Sequence, residues 1–262
     1  MDKLQQIILP ISRELDECRA IFRSAYSDDN PLLNTILDFV RKKEGKMMRP
    51  ILTLLSAKLF GNIDSRAINV ATAYEFFHTA SLVHDDVVDE SDERRGQPSV
   101  NSSFNNKRAV LVGDFILSKS LNCIAKANDS RLVDIVSVAA GQLANGELLQ
   151  LTANGNYKTT DEYIRVITNK TAALFMACAQ SGAIVGGASD EDIENMRQFG
   201  ELVGISFQIK DDLLDEEIDK EFAVQMLDKY TQTALSLLDK YPDSDVRQSL
   251  LDYAKYVSSR NY

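Results

Sequence analysis

The sequence predicts an all-α protein, a single-domain bundle of about ten helices around a central cavity. Three observations carry that expectation. Apolar residues recur at three- and four-residue spacing, as in Ile51, Leu52, Leu54, Leu55 and Leu59, and again in Leu132, Val133, Ile135, Val136, Val138, Leu143 and Leu148. Almost no segment alternates polar and apolar residues as a strand would. Gly and Pro are sparse, 12 and 5 of 262 residues, and no linker, repeat or low-complexity tract divides the chain.

The helices can be placed in order from their start and stop residues. Pro50 suits a first helical turn, and the run that it opens breaks at Gly61-Asn62. Asp64 offers a cap to the apolar run from Ala67 to His84, which stops before Gly96-Gln97-Pro98. Asp129-Ser130 opens a helix that ends near Ala153-Asn154-Gly155-Asn156, and Thr160-Asp161 opens the next. The uncharged stretch from Thr171 to Ser189 is rich in Ala and Gly and includes Gln180, so it reads as a helix buried on all sides and not as a membrane span. Ser189-Asp190 starts a run to Leu214. Two terminal helices follow, Phe222 to Tyr241 and Asp243 to Tyr262, parted at Tyr241-Pro242.

Composition narrows the function. A formal net charge of -10, from 39 acidic and 29 basic side chains, argues against a nucleic-acid partner, because a phosphate backbone demands a basic footprint. Cys18, Cys123 and Cys178 are odd in number and widely spaced, which fits reduced thiols in a cytoplasmic protein. The N-terminus from Met1 to Arg13 lacks the apolar core of an export signal, and no transmembrane segment is expected.

Two clusters of the form Asp-Asp-x-x-Asp carry the chemistry: Asp85-Asp86-Val87-Val88-Asp89 and Asp211-Asp212-Leu213-Leu214-Asp215. On a helix the outer aspartates of each cluster stack on one face, where like charges repel. A hard divalent cation removes that cost, and Mg2+ favours one or two carboxylates plus waters and substrate phosphates over an all-protein cage. Two facing half-sites would hold a diphosphate through shared Mg2+, letting an acidic chain bind an anion. Either cluster alone would read as a solvated helix face. Gly45-Lys46-Met47-Met48-Arg49-Pro50 places two cations at a helix start, an anion site or an ordinary basic cap. His78 and His84 are the only histidines; His78 lies two turns before Asp85 on the same face.

Together, the run Glu75-x-x-His78-x-Ala80-Ser81-Leu82-Val83-His84-Asp85-Asp86-x-x-Asp89, then Arg94-Arg95-Gly96 and Phe207-Gln208-Ile209-Lys210-Asp211-Asp212-x-x-Asp215, closely resemble the trans-isoprenyl (polyprenyl) diphosphate synthases of the farnesyl, geranylgeranyl and octaprenyl type. The resemblance runs from about Lys42 to Asp215. It implies the isoprenoid synthase fold, a homodimer, and Mg2+-dependent head-to-tail condensation of isopentenyl diphosphate with an allylic diphosphate.

By the same resemblance, Lys46, Arg49, His78 and Arg95 form the isopentenyl diphosphate pocket, and Arg94, Lys170, Thr171 and Gln208 contact the allylic diphosphate, with Lys210 assisting. Asp85, Asp89 and Asp211 would be direct ligands to two or three Mg2+ ions; Asp86, Asp212 and Asp215 would act through water or hydrogen bonds. From its residues alone, Lys170-Thr171 reads as a simple helix start. Bulky residues four or five positions before the first aspartate act as a floor in this family. Here those positions hold Ser81 and Ala80, both small, so a product longer than C15 is expected, with Phe76 and Phe77 one turn deeper as a lower floor or as core. Leu82, Phe115 and Phe207 are candidate walls.

The chain departs from the family pattern in two places. Glu44 and Met47 stand where a second glycine and a further basic residue are common, and a lysine-bearing segment that usually follows the second cluster is absent near 215–220. Two rivals remain at this point: a class I terpene cyclase, and a non-catalytic or regulatory subunit of a hetero-oligomeric synthase.

Overall fold

The computed structural model describes residues 2–42, 45–94, 96–153 and 157–260. Glu44, Arg95, the Asn154-Gly155-Asn156 break and the end of the last expected helix lie outside them. Among the described residues there are thirteen α-helices and one hairpin of two-residue strands. Eleven helices have eight residues or more, close to the number expected.

The N-terminal part comprises α1 (Lys3–Ile8), a 3-10 turn at Leu9–Ile11, α2 (Ser12–Ser24) and α3 (Pro31–Arg41). Helix α4 (Met48–Phe60) begins two residues ahead of Pro50, because Met47 takes the left-handed conformation and turns the chain there. Helix α5 (Ser65–Val88) is capped as anticipated: Asp64 accepts from the backbone N–H groups of Arg66 and Ala67, at 2.9 and 3.2 Å. After the hairpin of β1 (Glu93–Arg94) and β2 (Gln97–Pro98) come α6 (Val100–Phe104), α7 (Asn106–Lys126) and α8 (Ser130–Ala153). Helix α9 (Thr160–Ile167) does not stop before α10 (Ala173–Gly186). A π-helical turn at Thr168–Ala172 joins them, so Lys170-Thr171 lies inside a continuous helix and does not start one. The chain closes with α11 (Asp190–Leu214), capped by Ser189, then α12 (Lys220–Ser236) and α13 (Asp245–Ser259).

Helix α10 is the centre of the core. All its residues from Ala173 to Val185 are buried except Gln180, which accounts for a long uncharged run without invoking a bilayer. Its close packing on α4 needs Gly182, where a Cβ would stand 2.3 Å from the Thr53 carbonyl oxygen. Buried hydroxyls find partners: Tyr74 and Ser181 share a 2.7 Å hydrogen bond, and Tyr253 of α13 donates to the Met48 carbonyl at 2.8 Å. A smaller cluster built on Tyr163, Ile167, Ile205, Ile209 and Leu227 joins α9, α11 and α12.

Helix α8 has two apolar faces. Leu132, Val136 and Ala139 are buried, whereas Val133, Val138, Leu148 and Leu151 are exposed, as are Val110, Leu111 and Leu121 of α7. It is the one described helix long and apolar enough to cross a membrane, but its inward face is packed into the bundle.

Candidate active site

The two acidic clusters sit at the ends of two of the three longest described helices. At about 1.5 Å per residue, α5 and α11, with 24 and 25 residues, are each roughly 36 Å long. Each ends in the same stop. Asp89 and Asp215 are the last near-helical residues; Glu90 and Glu216 then turn left-handed, with φ of 51° and 60°. The Ser91 N–H donates to the Asp86 carbonyl at 2.9 Å, and the Glu217 N–H donates to the Asp212 carbonyl at 2.8 Å. These are matching Schellman stops, and each fixes its aspartates on the last helical turn.

Between the helix ends lies a cleft of about 840 Å³. Asp85 and Asp89 line it from one side, Asp211 and Asp215 from the other. Basic and polar groups at the same cleft are Arg49, His78, Ser81, Arg94, Lys170, Thr171 and Gln208, and Leu82, Leu143, Leu174 and Phe207 form its apolar wall. Phe115, offered as a wall, does not line it and packs against the core with Lys119 over its ring.

The middle aspartates are tied to protein groups. Arg94 Nε donates to Asp86 Oδ1 at 2.6 Å. Asp212 accepts from Tyr163 OH at 2.5 Å and from Gln208 Nε2 at 2.6 Å, while Thr171 Oγ1 donates to Gln208 Oε1 at 2.6 Å. That chain of bonds runs from the π turn to α11 and fixes Gln208 at the cleft. Burial pushes all four of Asp85, Asp86, Asp211 and Asp212 above the usual carboxylate range. Asp85 goes furthest, to about 7, because burial is reinforced by the nearby Glu147 carboxylate against Lys170 and Arg94.

Other residues singled out by sequence fall elsewhere. Lys46 is exposed, and Lys210 does not line the cleft, being a third of a turn from Asp211. Ser81 reaches the cleft, but Ala80 is buried at 1% exposure in the core beside it. Phe76 stacks on Phe22 of α2 at 4.8 Å, and Phe77 is buried; neither lines the cleft. A second cavity, of about 770 Å³, opens on the other side of α5. It shares His78, Leu82 and Arg94 with the first and is bounded by Gly45, Met47, Phe39 and Val100.

Two residues at the site carry no sequence signal of their own. Glu147 of α8 pairs with Lys170 at 2.7 Å. Arg260, just past α13, pairs with Asp211 at 2.7 Å, donates to the Phe207 carbonyl at 2.9 Å and stacks 3.8 Å over the Phe207 ring.

The donor set fits Mg2+. The four cleft-facing groups are hard carboxylate oxygens, and burial with the neighbouring Glu147 carboxylate leaves Asp85 in particular in need of positive charge, whereas Asp211 already meets Arg260. Among the described residues, no three acidic, histidine or cysteine side chains converge tightly enough to cage an ion unaided. Such geometry suits an ion that draws its remaining ligands from a bound phosphate.

Comparison with known proteins agrees with this architecture. The model of the polyprenyl synthetase family matches residues 30–230. The octaprenyl diphosphate synthase of Escherichia coli (strain K12) is 36% identical over 219 residues, 83% of this chain and 68% of that one. The heptaprenyl diphosphate synthase component 2 of Geobacillus stearothermophilus is 30% identical over 300 aligned positions, covering 92% of this chain and 93% of the relative. That alignment is longer than the 262 residues available here, so the relative carries residues that this chain lacks. Among solved structures, a decaprenyl diphosphate synthase from Rhodobacter capsulatus superposes with a TM-score of 0.88 at 32% identity, covering 99% of both chains. With a family match over most of its length, relatives above 30% identity and a shared helical architecture, the chain belongs to the polyprenyl synthetase family.

Proposed function

We propose that this chain is a trans-polyprenyl diphosphate synthase, condensing isopentenyl diphosphate head-to-tail with an allylic diphosphate to give a product longer than C15. One observation carries the reading: two matching acidic turns face each other across a cleft with an apolar wall. Relatives at 30% identity or more include synthases named for octaprenyl, heptaprenyl and decaprenyl products, beside a short chain isoprenyl synthase at 37% and a geranylgeranyl synthase at 32%, so the small side chains at Ala80 and Ser81 carry the expectation of a product longer than C15. Both acidic clusters are intact, which favours a catalytic chain over a regulatory one.

The chemistry that Mg2+ supplies when bound is neutralisation of the leaving diphosphate, with Asp85, Asp89 and Asp211 as its direct ligands. Arg94 and Lys170 add positive charge where the C–O bond breaks, a contribution that grows as pyrophosphate departs. Arg49 lines the cleft and His78 lines both cavities, and together they hold the C5 diphosphate so that its double bond attacks the allylic carbon; Lys46 and Arg95 join them by the family resemblance alone. A C–C bond forms, and the departing pyrophosphate takes the proton released. Leu82, Leu143, Leu174 and Phe207 keep water from the developing cation.

The exposed apolar faces of α7 and α8 are the surface that a second copy would cover, with Leu111, Val138 and Leu148 each more than 60% exposed. We assign the homodimer to that face. The three cysteines, all free and buried, fit a cytoplasmic setting. Incubation with Mg2+, an allylic diphosphate and labelled isopentenyl diphosphate, followed by sizing of the products, tests the reading. Absence of any elongated product would refute it.

A further inference from the structure

At the edge of the cleft stands an ion pair of which the proposed chemistry uses only one partner, Lys170. Glu147 meets the Lys170 ammonium at 2.7 Å, and the two side chains are only 13% and 20% exposed. The residue before it, Gly146, lies so close to the π turn that a Cβ would sit 2.4 Å from the Lys170 backbone nitrogen. Helix α8 thus presses on the Lys170 backbone with one residue and grips its side chain with the next. A second acid is within electrostatic range of Lys170, the cleft carboxylate Asp85, which also feels Glu147. A lysine stem has four rotatable bonds and, left alone, would spread its ammonium between Asp85 and solvent.

We infer that Glu147 is a positioning residue: it holds the Lys170 ammonium over the cleft and off Asp85, ready for the allylic diphosphate. This rests on reading the cleft as a diphosphate site. A lysine already ordered loses less freedom when the anion arrives, and Asp85 stays available to a cation. Glu147 therefore acts on the affinity for one substrate and leaves the other untouched.

Steady-state kinetics of Glu147→Ala, Glu147→Gln, Lys170→Ala and the double Ala variant test this. Glu147→Ala is expected to raise KM for the allylic diphosphate about tenfold and to lower kcat in the same direction as Lys170→Ala but less, with the KM for isopentenyl diphosphate changed less than about threefold. Glu147→Gln, which keeps the side chain's size and removes its charge, should recover only part of the loss, because the contact is an ion pair. In the Lys170→Ala background the Glu147 substitution should add nothing, because the residue that it positions is gone. Calorimetric Kd values for inorganic pyrophosphate with Mg2+ should rise in parallel. An unchanged allylic KM, an equal rise for both substrates, or a full effect in the Lys170→Ala background would overturn the inference. Wild-type turnover in the same assay tests the enzymatic reading separately.

Discussion

Arg260 and Asp211 form an ion pair at 2.7 Å that ties the end of the last helix to the second acidic cluster. The guanidinium is 10% exposed and rests on the Phe207 ring, so it supplies Asp211 with a counter-charge from the protein itself. Arg260→Ala leaves that carboxylate without its partner. We expect the metal-free protein to lose about 1–3 kcal/mol, a partly exposed pair ranking below a fully buried one. Mg2+ with pyrophosphate should narrow the gap, since a bound cation takes over the same carboxylate. Urea denaturation with and without those ligands measures both quantities, and a cost that is unaffected by them would speak against competition at Asp211.

Asp85 gives a prediction with a definite sign. Its folded-state pKa of about 7 lies above the ordinary value, so the folded chain binds an extra proton between roughly pH 4 and pH 7. The contribution of Asp85 to stability is therefore favourable on the acid side and is lost as pH rises through that window. Asp85→Asn fixes the neutral form: the metal-free variant should melt above its parent at pH 8, and the difference should vanish toward pH 4. Turnover should fall by several orders of magnitude with helix content unchanged, and Asp211→Ala should do the same. Thermal melts across pH, paired with product assays, decide it; equal melting temperatures at pH 8 would contradict the assignment.

Ser81 and Ala80 should differ as sites for shortening the product. Ser81 lines the cleft, so Ser81→Phe places a ring where the growing chain passes and should shift products to shorter lengths. Ala80 is buried in the core, where Ala80→Phe overpacks and should cost about 1–3 kcal/mol. Chromatography of the extracted prenyl products reports the first effect and chemical denaturation the second. Unaltered products from Ser81→Phe would mean that the chain leaves by another route.

The outward face of α8 offers a direct test of assembly. Leu148 is 63% exposed, so Leu148→Glu should leave a single chain folded while preventing a second from docking. Sedimentation should find a dimer for the parent and a monomer for the variant. A monomeric parent would dismiss the homodimer.

The helix stops at Glu90 and Glu216 carry a small strain. Both residues hold φ above 50°, a conformation that costs a side-chain-bearing residue about 1 kcal/mol. Glycine avoids that cost, so Glu90→Gly and Glu216→Gly should each raise stability by a few tenths to 1 kcal/mol. Denaturation midpoints would reveal it, and a loss in both variants would show that the carboxylates do more than cap.

Much of this was legible in the sequence because it is local. Asp64 and Ser189 cap the helices that they precede, and the spacing within each aspartate cluster maps onto a single turn. What escaped depends on contacts between distant segments. Glu147 is an ordinary helical glutamate until α8 packs on the π turn, and Arg260 lies 49 positions beyond Asp211. The π turn itself hid Lys170 in a run that scans as a helix start, and the double-sided character of α8 appears only when its inner face is filled.

The left-handed stop after Asp215 also separates what comes before it from what comes after. Because the turn closes on the helix's own carbonyls, the geometry of the acidic arm owes nothing to the length of the peptide that follows. Evolution could therefore trim or extend the link to α12 at little cost to the carboxylates. A change in the length of that link would leave both arms of the cleft as they stand.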